Sequence, residues 1–150
     1  MRFRLFCAGA LALFLCLPAA AQFRKPEDAV KYRQSVMTVM GFQVFGRIGG
    51  MVNNRAPYDA KLAADSAELA VVLSKQPWIA FGPGTDTGKT DAKPAVWTET
   101  AKFKDLQDKM QAEVANLAAV AKTGDLDALK VAYRATTSSC KSCHDSFTNQ

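Results

Sequence analysis

Histidine is nearly absent from this 150-residue chain, which has His144 and no other. A zinc site resting on several imidazoles is therefore ruled out. Long apolar runs are scarce too. The run from Leu5 to Leu17 stands alone and falls short of the ~20 residues that a membrane helix needs. No stretch alternates apolar and polar residues with period two, so a β-sheet has no support in the pattern. Repeats and low-complexity tracts are missing. Charge of one sign is not in large excess, with 19 basic against 14 acidic residues, and no basic face is concentrated. Nucleic acid is not an expected partner.

What is present begins with a leader. Arg2 and Arg4 precede the apolar run, and Pro18 and Ala19-Ala20-Ala21 follow it. That order is a secretory signal with a small-residue cleavage site, expected after Ala21. Residues 1–21 are read as the signal peptide and residues 22–150 as one domain. Cleavage removes Cys7 and Cys16, leaving Cys140 and Cys143, and lowers the formal charge of +5 by two. The mature chain then has no membrane span.

Apolar spacing predicts four helices. The first opens at Pro26, favoured in a first turn because its missing N–H is not needed there. Glu27 and Asp28 place negative charge near the positive end of the helix dipole. Its inward line is Val30, Met37, Met40, Val44, Ile48 and Met51. Gly41, Gly46, Gly49 and Gly50 each cost about 1 kcal/mol of helix propensity relative to alanine. They either admit a close neighbour or mark fraying. A second helix, about Asp59 to Leu73, carries Leu62, Ser66, Leu69 and Leu73 on one line. Residues 76–94 form the one long irregular connection, with Trp78, Ile79 and Phe81 tucked against the core. The third helix runs from about Ala95 to Lys122 through Phe103, Leu106, Met110, Val114 and Leu117. Gly124 suits a left-handed helix end, and Asp125 can cap the fourth helix. The fold class expected is all-α, an antiparallel four-helix bundle.

The chemistry lies in Cys140-Lys141-Ser142-Cys143-His144, the attachment sequence of a c-type haem. Residues at i, i+3 and i+4 share one side of a helix. Two thiols can thus reach the two vinyl groups of a porphyrin while the imidazole reaches its iron. A disulfide between the same cysteines is the plain rival in an oxidising compartment. A thioredoxin-like pair would need a strand before the helix, and a zinc site lacks a fourth ligand. One covalent haem c, with His144 as the metal ligand, is the expectation. A sixth ligand, if any, would be a thioether from Met37, Met40 or Met51, although methionines ordinarily fill cores. Arg33 either pairs with a haem propionate through its fork or is solvated. Trp78, Phe81 and Phe103 are either pocket wall or core, and Phe42 and Phe45 either an interface or core.

A haem motif at the end of a four-helix chain resembles the cytochrome c′ family. Lys25-Pro26-Glu27-Asp28-Ala29-Val30-Lys31-Tyr32-Arg33-Gln34 is similar to the family's start. Pro77-Trp78-Ile79-Ala80-Phe81-Gly82-Pro83-Gly84-Thr85 and Asp91-Ala92-Lys93-Pro94 are similar to its middle loop. Gly124-Asp125-Leu126 and the segment from Cys140 to Phe147 complete the likeness. The resemblance implies a homodimer in the bacterial periplasm, with a five-coordinate, high-spin haem held by Cys140 and Cys143 and ligated by His144. It implies that Met37 closes the distal face and that Arg33, Gln34 and Asp91 contact the haem or its propionates. It implies binding of nitric oxide and carbon monoxide, exclusion of dioxygen, and a possible electron-transfer role with a redox partner that the sequence does not name. A related low-spin branch, similar to cytochrome c-556, uses a first-helix methionine as sixth ligand, which makes an electron carrier ligated by Met37 the alternative. One departure stands out. Many members carry a basic residue four positions after the axial histidine, where this chain has Thr148. A turnover enzyme is not expected, since no second histidine is left for acid–base work.

Overall fold

Pro26, whose ring holds φ near its helical value, occupies the first turn of α1, Pro26–Gly41, with Glu27 and Asp28 beside it. The computed structural model describes residues 23–149, so the expected signal peptide lies outside the described residues. The helix does not fray at its glycines. It passes into a π-helical segment, Phe42–Ile48, in which the Gly49 N–H reaches the carbonyl of Val44 five residues back. It then resumes as α2, Gly49–Val52. Residues 26–52 are thus one rod with a widened middle. Of the two readings of its glycines, close approach holds at Gly49. A Cβ there would stand 2.7 Å from the Tyr133 hydroxyl.

The second long element is α3, Ala60–Leu73, capped by the Asp59 carboxylate, which accepts the Leu62 N–H. Its inward face differs from the line of leucines expected. Leu62 and Leu69 are exposed, while Ala63, Ser66, Ala67 and Ala70 are buried. Small side chains let α3 lie close to the first rod and to the third long helix, and leucines turned inward would hold it off. After a single 3₁₀ turn, Pro77–Ala80, the chain crosses to α4, Ala95–Thr98. The third helix is interrupted once, at Glu99, where the backbone leaves helical dihedrals, and continues as α5, Thr100–Ala121. Gly124, with φ of +74°, turns the chain into α6, Leu126–Phe147. There the Asp125 carboxylate accepts the N–H groups of Asp127 and Ala128.

α5 packs along α6 and α3, α3 also lies on the π segment, and α2 meets α6. The short connections after α2 and α5 make their neighbours antiparallel. The result is a four-helix bundle. Its core is Met40, Val44, Ile48, Met51, Met110, Val114, Leu117 and Leu129, with the alanines of α3 between them. No strand forms among the described residues; a lone antiparallel bridge joins Ala92 to Thr148. Among the same residues no helix is long and apolar enough to cross a membrane. α1 and α6 scarcely touch. The space between them is the candidate site.

Candidate functional site

α6 is amphipathic to its end, and its last two turns present Cys140, Cys143 and His144 at the helical spacing i, i+3, i+4. All three line one open cleft of about 210 Å³ between α1, the 77–92 segment, α5 and α6. Cys140 and Cys143 are free thiols, both partly buried. Burial pushes both thiols above the usual range, and the nearby Cys140 thiol adds to the effect on Cys143. Such thiols stay protonated at neutral pH. His144 is exposed at the cleft.

The opposite lining is largely apolar. α1 contributes Met37 and Met40, and Trp78, Phe81 and Phe103 form an aromatic wall with Phe147. Trp78, Phe81 and Phe103 are therefore wall, which resolves the choice left open by their spacing. Met51 is not part of the site. It is 2 % exposed in the core, and its sulfur accepts the Asp59 N–H, so it is removed as a candidate ligand. Ile79 is also displaced from its expected place and stands 48 % exposed. Phe42 and Phe45 are exposed, so they do not complete the core.

Arg33, Gln34 and Asp91 all line the cleft. Arg33 is only 3 % exposed, which overturns the solvated reading. Its Nη1 donates to the Ala80 carbonyl and the Thr85 hydroxyl, and its Nη2 to the Thr85 carbonyl and the Thr90 hydroxyl. Both terminal nitrogens are committed, so a two-pronged grip on a propionate is not available as the side chain stands. Desolvation lowers its pKa, opposed by the charge of Asp86. Gln34 donates to the Lys89 carbonyl at 3.0 Å. Trp78 gives its one N–H to the carbonyl of Ser74 at 2.6 Å. The donors around the cleft are thus largely spent on the protein itself.

Spacing had no means of finding the rim. The Lys93 N–H donates to the Phe147 carbonyl, and the Asn149 N–H to the Asp91 carbonyl. These bonds sew the segment 91–93 to the end of α6 and the residues just past it, and Thr148 takes part through its backbone. A two-residue bridge has no periodicity to detect. Val96 and Met110 complete the lining.

The donor set fits a covalently held tetrapyrrole. Two thiols and one imidazole share a helix face beside a mostly apolar cleft, the lining expected of a cofactor site. No group of three or more histidines, cysteines and acidic residues able to hold a bare metal ion exists among the described residues. His144 would be the residue that ligates the iron of such a group.

The family model described as Cytochrome C' matches residues 28–148. A cytochrome c′ of Rubrivivax gelatinosus is 50% identical over 127 residues, covering 84% of this chain and 98% of that protein. Its crystal structure superposes with a TM-score of 0.81 over 85% of this chain and 100% of that one. Two structures of cytochrome c′ from Alcaligenes xylosoxidans are similar at 46% identity. One is a nitric oxide complex of a leucine-to-alanine variant, with a TM-score of 0.80 over 86% of this chain and 99% of that one. The other is a leucine-to-glycine variant with carbon monoxide bound, with a TM-score of 0.80 over 86% of this chain and 100% of that one.

Proposed function

Because this chain belongs to the cytochrome c′ family, a family of haem c proteins, we propose that it is an exported periplasmic cytochrome that takes up nitric oxide or carbon monoxide at a five-coordinate, high-spin haem. The observation that carries the reading is the pairing of the Cys140, Cys143 and His144 face with a cleft whose far wall offers thioethers, aromatic rings and already-committed donors.

Cys140 and Cys143 would each add an S–H across one vinyl group, with nothing lost, and His144 would ligate the iron. When bound, haem supplies an iron that takes a diatomic ligand and changes oxidation state. The residues of the chain do the rest. Met37, Met40, Phe81 and Phe103 keep water sparse and admit small neutral molecules. Trp78 has no free N–H to offer, and both terminal nitrogens of Arg33 already serve the protein, so these residues would offer dioxygen no hydrogen-bond donor. Nitric oxide and carbon monoxide need none. Gln34 stands at the cleft as the polar contact for a propionate, with Arg33 able to offer its remaining Nε–H, and the Asp91 side chain would touch the haem rather than its carboxylates.

The second reading, a low-spin electron carrier with Met37 as sixth ligand, is favoured by one observation: a thioether from α1 lines the same cleft as His144. The visible spectrum of the ferrous protein, with and without carbon monoxide, separates the two. A broad high-spin band that shifts on adding the gas is expected. A sharp low-spin α band indifferent to the gas would overturn gas binding and favour the carrier. Intact mass tests the attachment, since the chain cleaved after Ala21 should be heavier by one haem. The homodimer rests on the exposed Val39, Phe42 and Phe45 of the first rod beside Leu62, Leu69 and Val72 of α3. Sedimentation should find a dimer that Phe42→Glu weakens.

A further inference from the structure

The segment from Phe81 to Lys93 is long and rich in turns, with Gly84 and Gly88 both at positive φ. It is fastened at several points. At its far end, the backbone bonds of Asp91 and Lys93 tie it to Phe147 and Asn149. At its near end and middle the Trp97 indole N–H donates to the Phe81 and Gly82 carbonyls and Gln34 donates to the Lys89 carbonyl, but the side chain with the most bonds to it is Arg33. The guanidinium of Arg33 bonds to Ala80 O at 2.8 Å, Thr85 O at 2.9 Å and Thr90 Oγ1 at 2.8 Å, with Thr85 Oγ1 at 3.2 Å. It also sits 4.5 Å from the centroid of the Phe81 ring and 5.6 Å from that of Trp97. A buried cation needs its lost hydration replaced. Here every hydrogen bond that replaces it comes from residues 80–90. The charge is thus bound to the loop more tightly than to anything else.

The location of this clasp gives it a consequence for the cleft. Arg33 belongs to α1, and the residues after it on that helix, Gln34 and Met37, line the cleft. Phe81 and Asp91, on either side of the clasped stretch, line it too. The span between α1 and the loop is therefore set chiefly by one planar fork with four fixed bonds, beside the single bond from Gln34 to the Lys89 carbonyl.

We propose that Arg33 is a positioning residue that governs entry to the cleft. By clasping Thr85 and Thr90 it holds the 81–91 wall against α1 and limits how fast a small neutral ligand passes between them. The role in ligand entry rests on the gas-binding reading; the clasp does not.

The replaceable parts of the clasp are the two hydroxyls. Thr90→Val deletes an acceptor shared by Arg33 and the Ala92 N–H, and Thr90→Ser keeps both bonds; Thr85→Val leaves the Ala92 bond in place, giving up the Arg33 contact and the Thr85 bond to the Gly82 carbonyl, and is an independent second variant. In the full haem-loaded protein, two quantities are measured for each: hydrogen exchange of the amides in 82–91, and the carbon monoxide association rate after flash photolysis. Thr90→Val should speed exchange in that segment by about tenfold or more, since it loses a bond to a charged group together with the Ala92 bond. Exchange in α5 and α6 should stay at the parent's rate. Association should rise several-fold, and Thr90→Ser should return both quantities to the parent's values. Unchanged exchange in both valine variants would overturn the clasp. Faster exchange with unchanged association would overturn its control of entry. If the parent binds no carbon monoxide, the gas reading and the entry role fall together, while exchange still decides the clasp.

Discussion

Two glycines of the first rod should respond to alanine with opposite signs. Alanine is favoured over glycine in a helix by about 1 kcal/mol, so propensity alone predicts a gain at both Gly41 and Gly49. At Gly41 the added Cβ would meet nothing closer than a Phe45 ring carbon at 3.9 Å, an ordinary contact. At Gly49 it would stand 2.7 Å from Tyr133 Oη, 3.2 Å from Tyr133 Cζ and 3.3 Å from the Val44 carbonyl oxygen. The first two belong to a ring packed against the core from α6, and the third is backbone of the π segment. Neither yields as a flexible chain end does. Overpacking of this kind costs about 1–3 kcal/mol, which offsets or exceeds the propensity gain. Gly41→Ala should therefore raise the urea midpoint, and Gly49→Ala should lower stability by about 1 kcal/mol. Tyr133→Phe removes the nearest atom, so the double variant Gly49→Ala/Tyr133→Phe should recover part of the loss, a coupling that a double-mutant cycle reads directly. If Gly49→Ala proves as stable as Gly41→Ala, the close approach of α6 to the first rod is not what keeps glycine there.

Met37→Ala should raise the carbon monoxide association rate, because the half-buried thioether narrows the cleft; an unchanged rate would remove Met37 from the entry path. Phe147 is 2 % exposed and packs edge-on to Phe103 at 5.1 Å, so Phe147→Ala should cost about 3–5 kcal/mol in urea unfolding. In a haem-free preparation, Cys140 and Cys143 should alkylate slowly at neutral pH and faster as pH climbs above the ordinary thiol range of about 8.5. Their folded pKa values are raised by burial, so above that range the unfolded chain releases thiol protons first and binds fewer of them. Stability of the haem-free chain should then fall as pH rises, and the fall should vanish in the Cys140→Ala/Cys143→Ala variant.

Legibility followed the range of the interaction. Asp125 and Gly124 were readable because capping and left-handed turns depend on a few adjacent residues, and both act as their residue types dictate. The triad on α6 was readable because its spacing is that of one helix face. The inward line of α3 was misread, since leucine is the stronger apolar signal and a pattern counts hydrophobicity. Burial on that helix was decided by how closely its neighbours stand, and only alanine and serine fit.

The linear order of residues was enough to determine four helices, their caps, and a thiol–thiol–imidazole group on one helical face, because each depends on contacts within a turn or two of the chain. Folding in three dimensions decided the rest: that α1 and α6 part to leave a cleft, that Met37 enters it while Met51 does not, and that Arg33 turns to the 80–90 loop. Those outcomes depend on partners 47 to 57 residues away in the case of Arg33, and a local pattern holds no information about such distances.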